Sequence, residues 1–189
     1  MLFGFVMKFF GGVWSVRERC RNTQNRFLKK VYSRLYYRAL AKSGSWIGLS
    51  AEFASAPIFP HPIGVFISGG AKIGRDCVIF HQVTIGSNLL PDSKQLGAPT
   101  IGDRCYIGAG AIIVGKVVIG DNVRIGAGCV VASDVPSDSV VVPPPPRVIQ
   151  KESLDNRYYT KRDGKWVYFE NGKPVEVTDK AILDTFEKI

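Results

Sequence analysis

An aliphatic residue returns at every sixth position along much of this chain, at 67, 73, 79, 85, 101, 107, 113, 119, 125 and 131. Glycine follows it at 74, 86, 102, 108, 120 and 126. A small or β-branched residue stands four places after most of them, as at Ala71, Cys77, Val83, Cys105, Ala111, Val117, Val123, Cys129 and Val135. Neither a helix turn nor a strand pleat has this period. Six residues do make one short strand with a tight turn, and three such units close a triangular coil of about 18 residues. Each aliphatic side chain then points inward and stacks on its equivalent in the next coil. Glycine and asparagine gather at the corners, where the backbone takes conformations costly for β-branched residues. The spacing predicts an all-β core, a parallel β-helix of hexapeptide repeats.

Two interruptions divide the chain. Sixteen residues separate Ile85 from Ile101 where unbroken register gives six, so ten residues leave the coil as a loop at about 87–99. Long loops on a compact scaffold often carry function. Pro143 to Pro146 cannot extend a strand ladder and end the coil. The organisation read from this is a basic amphipathic helical segment over 1–45, the β-helix over 46–149, and an appendage over 150–189. Within 22–42, Leu28, Val31, Tyr32, Leu35, Tyr36 and Leu40 fall at helical spacing, with Gly44 as the stop. The appendage reads as a hairpin around Asn171-Gly172. A short helix capped by Thr178 follows, with Ile182, Leu183, Phe186 and Ile189 on one side.

Charge is concentrated at one end. Residues 1–42 hold ten lysines and arginines against Glu18 alone, which accounts for the whole net charge of +9. Such a segment is either a solvated helix face or a basic surface resting on an anionic membrane. Nucleic acid is disfavoured, because aromatic and basic residues are not interleaved on the main domain. No apolar run approaches the roughly 20 residues that span a bilayer. The opening "MLFGFVMKFFGGVW" lacks a preceding basic residue and a small-residue cleavage site, so a cytoplasmic protein is expected, with peripheral membrane contact through 1–42.

Cys77, Cys105 and Cys129 occupy the small inward slot of the repeat and read as buried hydrophobes. With no Cys-x-x-Cys and no histidine cluster, no metal site is expected. The two histidines are His61 and His81. An imidazole base on this scaffold must be one of them. His61 is held between Pro60 and Pro62 where the regular coil begins, and is the stronger candidate. His81, two residues past Ile79, is either an incidental surface histidine or a second candidate.

The stretches "HPIGVFIS", "AKIGRDCVIFHQVTIG", "PTIGDRCYIGAGAIIVGKVVIGDNVRIGAGCVVASDVP" and "RVI" resemble the serine acetyltransferase group of hexapeptide-repeat acyltransferases, over about residues 45–149. The more specific element is His61, Gly64, Val65, Phe66 and Ile67 followed by Val83-Thr84-Ile85-Gly86. The resemblance implies a left-handed coil, a homotrimer with active sites between neighbouring prisms, and acetyl-CoA as donor. It implies His61 as the general base, with Gly86, Ala109 and Ala127 along the pantetheine arm and Arg147 near the CoA phosphates. The chain departs from the family at Pro60, where an aspartate precedes the base, and at Ala98, where a second active-site histidine stands before Pro99. The prolines 143–146 replace a Gly-x-Pro-Ala element, and the helical region is short. These departures resemble shorter acetyltransferases of envelope sugars. The expected activity is therefore acetyl-CoA-dependent O-acetylation of a sugar or cell-envelope glycan hydroxyl, with serine O-acetylation as the close alternative. A non-catalytic scaffold is the alternative of another class. The zinc-dependent carbonic anhydrase of the same fold needs three histidine ligands, and this chain has two histidines.

Overall fold

The computed structural model describes residues 12–187. It divides into two units that meet between Pro145 and Pro146. The first is a left-handed parallel β-helix with helices at its N-terminal end. Three parallel sheets form the sides of a prism. The first contains β1 (Trp46–Ile47), β3 (Phe66–Ile67), β6 (Thr84–Gly86), β9 (Ile112–Val114) and β12 (Val130–Val131), stacked in that order. The second stacks β2 (Glu52–Phe53), β4 (Lys72–Ile73), β7 (Thr100–Ile101) and β10 (Val118–Ile119). The third stacks β5 (Val78–Ile79), β8 (Tyr106–Ile107), β11 (Arg124–Ile125) and β13 (Val140–Val141).

Every aliphatic at the six-residue period is buried, from Ile67 through Val131. Ile67, Ile85, Ile113 and Val131 stack in register on the first side. Ile79, Ile107 and Ile125 do so on the third. The small slot is buried too: Cys77 and Cys105 sit on adjacent coils as free thiols, donating to the Gly102 carbonyl at 3.2 Å and the Gly120 carbonyl at 3.1 Å respectively. The glycine after the aliphatic has a steric cause. A Cβ on Gly102 would fall 2.8 Å from the backbone nitrogen of Asp121. The residue after it links the coils: the Arg75 and Asp103 backbone N–H groups donate to the carboxylates of Asp103 and Asp121, each at 2.7 Å. The Gly-Asp pairs of the sequence are this ladder.

The coil begins one turn earlier than the period shows. β1 and β2 already belong to it, but Phe53 and Ile67 lie fourteen residues apart rather than twelve. The two extra residues are at one corner. Ile58 bridges Val78 and Phe66 pairs with Thr84, so eight steps in the first coil match six in the next.

The N-terminal segment holds two helices, α1 (Gly12–Asn22) and α2 (Arg26–Ala41), where the spacing predicts one. Asn25 caps α2 by accepting from the Phe27 and Leu28 N–H groups. Buried Arg17 of α1 lies over the Trp14 and Phe53 rings and donates to the Leu49 and Ala51 carbonyls, closing the open end of the first coil. Tyr36 of α2 donates to the Ile47 carbonyl at 3.1 Å, and burial pushes its pKa up. No helix among the described residues is long and apolar enough to cross a membrane.

The second unit is a three-stranded antiparallel sheet, β14 (Tyr159–Arg162), β15 (Lys165–Glu170) and β16 (Lys173–Glu176), followed by α3 (Lys180–Phe186). Asn171 and Gly172 make the expected turn with φ of 50° and 75°. The sequence reading missed β14 and the equivalent turn at Asp163-Gly164. The helix cap is Asp179, whose carboxylate accepts from the Ala181 N–H, and not Thr178. Phe186 packs on Trp166 and Tyr159, whereas Ile189 lies outside the described residues.

Candidate functional site on the prism edge

The corner between the third and first sheets collects four of the candidate residues. The pairings Phe66–Thr84, Thr84–Ile112 and Ile112–Val130 fix its register. Counting back three residues places Ile63, His81, Ala109 and Ala127 in one column, one per coil. Hydrogen bonds tie the column together. Gln82 N–H donates to the Ile63 carbonyl at 2.8 Å, Gly110 N–H to His81 at 3.0 Å and Gly128 N–H to Ala109 at 2.9 Å. The next position up, at Gly64, Gln82, Gly110 and Gly128, is left-handed in every coil, with φ between 56° and 69°.

His61 stands on the two-residue excess of the first coil, and this explains its exposure. An imidazole in a regular corner would follow the coil; the longer corner carries His61 outward between Pro60 and Pro62. It faces the half-buried ring of His81 on the coil above, with ring centroids 6.1 Å apart and planes at 71°. Nδ1 of His81 is buried and has no hydrogen-bond partner among the described residues. Of the two sequence-predicted histidines, His81 is thus the half-buried one, and the structure brings it beside His61. The signal was present in the fourteen-residue gap from Phe53 to Ile67, which marks a distorted corner next to the histidine.

Above the imidazoles the edge carries nothing larger than a methyl group, from Ala109 and Gly110 to Ala127 and Gly128. A Cβ built on Gly110 or Gly128 meets no atom within 4 Å. This is a lane open along the backbone, and it fits a narrow, extended ligand arm. Gly86 is elsewhere, at the end of β6 where the first sheet turns towards the second, and a Cβ there would make only ordinary contacts of 3.7 and 3.8 Å. Arg147 is exposed in the irregular start of the second unit. The 87–99 loop also leaves from the first–second corner. It folds on itself through Asn88 and Gly97, which exchange backbone hydrogen bonds of 2.8 Å, and its Gln95 carbonyl accepts from Lys116 at 2.9 Å. Ala98 rests over Gly70, whose added Cβ would lie 3.0 Å from that of Ala98. No group of three or more His, Cys, Asp or Glu suited to a metal ion exists among the described residues.

A stacked prism of six-residue repeats is the architecture of a hexapeptide-repeat protein. The bacterial transferase hexapeptide (six repeats) family matches residues 98–133. A serine acetyltransferase of Helicobacter pylori is 34% identical over 135 residues, covering 67% of this chain and 78% of that one. The chain belongs to the serine acetyltransferase family. The Mycobacterium tuberculosis serine acetyltransferase is 39% identical over 122 residues, covering 62% of this chain and 52% of its own length. A structure of the Neisseria gonorrhoeae serine acetyltransferase in complex with serine matches with TM-score 0.59 and 31% identity, over 70% of this chain and 54% of that one. The chain spans about half the length of several of these relatives. These similarities overturn the expected sugar or glycan acceptor: the relatives are serine acetyltransferases. Pro60 and Ala98 depart from the family motif at two positions, and the chain is nonetheless 31–39% identical to these serine acetyltransferases.

Proposed function

We propose that this chain is a serine O-acetyltransferase using acetyl-CoA. The observation that carries the reading is similarity to serine acetyltransferases over about two thirds of the chain. His61 is the general base. Its exposed imidazole takes the proton of the serine hydroxyl as that oxygen attacks the thioester carbonyl of acetyl-CoA. Backbone N–H groups stabilise the oxyanion. As the C–S bond breaks, the proton passes from His61 to the leaving sulfur, giving O-acetylserine and free CoA thiol. The pantetheine arm lies along the Ala109–Gly110 and Ala127–Gly128 lane.

The working unit is a homotrimer. The outward residues of the first sheet are Trp46, Phe66, Thr84, Ile112 and Val130, a column that is apolar but for Thr84. The second sheet instead presents the Glu52–Lys72 ion pair. A second element of the proposal is surface contact by α2. Phe27, Leu28 and Val31 are exposed there among Arg26, Lys29, Lys30 and Arg34, and this pattern supports peripheral association with an anionic bilayer. Co-sedimentation with anionic vesicles, abolished by Phe27→Glu, tests it.

The deciding experiment follows release of CoA thiol from acetyl-CoA with L-serine. Turnover in the parent and its loss by at least about a hundredfold in His61→Ala is the expected result. Undiminished turnover in His61→Ala would remove His61 from the mechanism.

A further inference from the structure

We infer that His81 is the positioning residue of His61, the two imidazoles working as a hydrogen-bonded pair. The inference rests on the reading of His61 as the base. A general base needs one ring nitrogen free to take the proton and the other one held, because the second nitrogen's hydrogen bond sets the tautomer. His61 lies between two prolines, and no hydrogen bond joins its ring to a carboxylate among the described residues. The flanking Pro60 and Pro62 offer no side-chain acceptor. His81 has the complementary lack: its Nδ1 is buried and unpartnered among the described residues, a state that is costly and uncommon in folded proteins.

The distance between the rings fits. Two imidazoles joined N–H···N at about 2.9 Å have centroids roughly 5 Å apart, and the observed separation is 6.1 Å. An approach of roughly 1 Å is needed. His61 supplies it, being exposed and carried on the longer corner. His81 does not move, since its backbone is tied above through Gly110 and its neighbour Gln82 is tied below to Ile63. Hydrogen bonds of catalytic groups are often long in the free enzyme and tighten when substrate binds.

The proton count closes without a charge change on His81. With the proton of His81 on Nε2, its Nδ1 accepts from the distant N–H of His61, leaving the other His61 nitrogen with its lone pair towards the serine hydroxyl. When His61 takes that proton it becomes imidazolium, and its bond to His81 Nδ1 becomes charge-assisted and stronger. The stabilisation grows as the reaction advances, so it belongs in kcat.

His81→Leu and His81→Asn test the pair, measured with L-serine and acetyl-CoA beside His61→Ala. Leucine fills the space without an acceptor, whereas the Asn amide oxygen reaches about the place of Nδ1. The expected result is a kcat about 10- to 100-fold lower in His81→Leu, KM for both substrates within about twofold, and recovery of most of the loss in His81→Asn. Should His81→Leu fold poorly, His81→Gln takes its place: its longer side chain carries the acceptor to the position of Nε2, and it recovers little where Asn recovers much. Parent-like kcat in His81→Leu, or equal kcat in the Asn and Gln variants, overturns the pair while leaving His61 as base. An active His61→Ala overturns the base itself, and the pair with it.

Discussion

Replacing Gly108 by alanine asks whether the coils are packed to a fixed spacing along the edge that carries the histidines. A Cβ on Gly108 would lie 2.7 Å from the Ala127 nitrogen and 2.9 Å from both the Gly126 carbonyl carbon and the Ile125 oxygen. Carbon sits comfortably against such atoms at about 3.5 Å, so the two coils must part locally by roughly 0.6–0.8 Å. The Gly108–Ile125 hydrogen bond of 2.8 Å and the Ala109–Gly128 bond of 2.9 Å stretch with them. Overpacking costs about 1–3 kcal/mol, and a weakened hydrogen bond adds about 1 kcal/mol. The melting temperature then drops by about 4–16 °C for a chain of this size. Gly110→Ala is the comparison. It meets nothing within 4 Å but sits at φ +68°, so only the left-handed backbone is penalised, by about 1–2 kcal/mol. Asparagine tolerates that conformation and recovers stability at 110, but not at 108. Thermal unfolding followed by circular dichroism reads all four variants. A Gly108→Ala protein melting within about 2 °C of the parent would refute the packing argument.

Ile107→Ala removes a fully buried side chain from the middle of the third-side stack. It should cost about 2–5 kcal/mol in urea unfolding, and a loss under about 1 kcal/mol would deny that the stack is a tight core. Asp103 accepts from the Arg75 backbone N–H and guanidinium, which holds its carboxyl below the usual carboxylate range. Because the folded form binds its proton less readily than the unfolded form, its contribution is complete above about pH 4 and is lost as pH falls through the lowered pKa. Asp103→Asn should flatten that part of the acid-unfolding curve; an unchanged curve tells against the ladder. All four cysteines are buried, so a thiol reagent should find almost none in the folded protein and four after unfolding. Rapid labelling of the native protein would contradict the inward slot. Phe66→Glu with Ile112→Glu should shift the mass measured by light scattering from trimer to monomer, and a persistent trimer would place the interface elsewhere.

The period in the sequence reports whatever touches the core, and this is why the isoleucine columns and cysteine slots were readable from it. The first coil was not, because the two residues added near His61 put Phe53 and Ile67 out of phase. Asp179 rather than Thr178 caps α3 for a local reason: adjacent polar residues compete for one set of free N–H groups, and spacing does not choose between them. His61 was legible as a candidate from its motif and proline neighbours. The companionship of His81 was not, since it lies twenty residues away and one coil higher. The acceptor was misread because Pro60 and Ala98 were given more weight than the prism around them.

The corner at 58–63 and the loop at 87–99 both add residues, yet neither shifts a single pairing in the coils that follow. The core of this protein keeps time by coils rather than by residues. Length can be gained or lost at any corner and the next strand still enters on the same beat. A segment of foreign sequence spliced into one corner would therefore leave the others in place, so the three edges can be edited separately. New specificity can arise on this scaffold by insertion, without first rebuilding the stack beneath it.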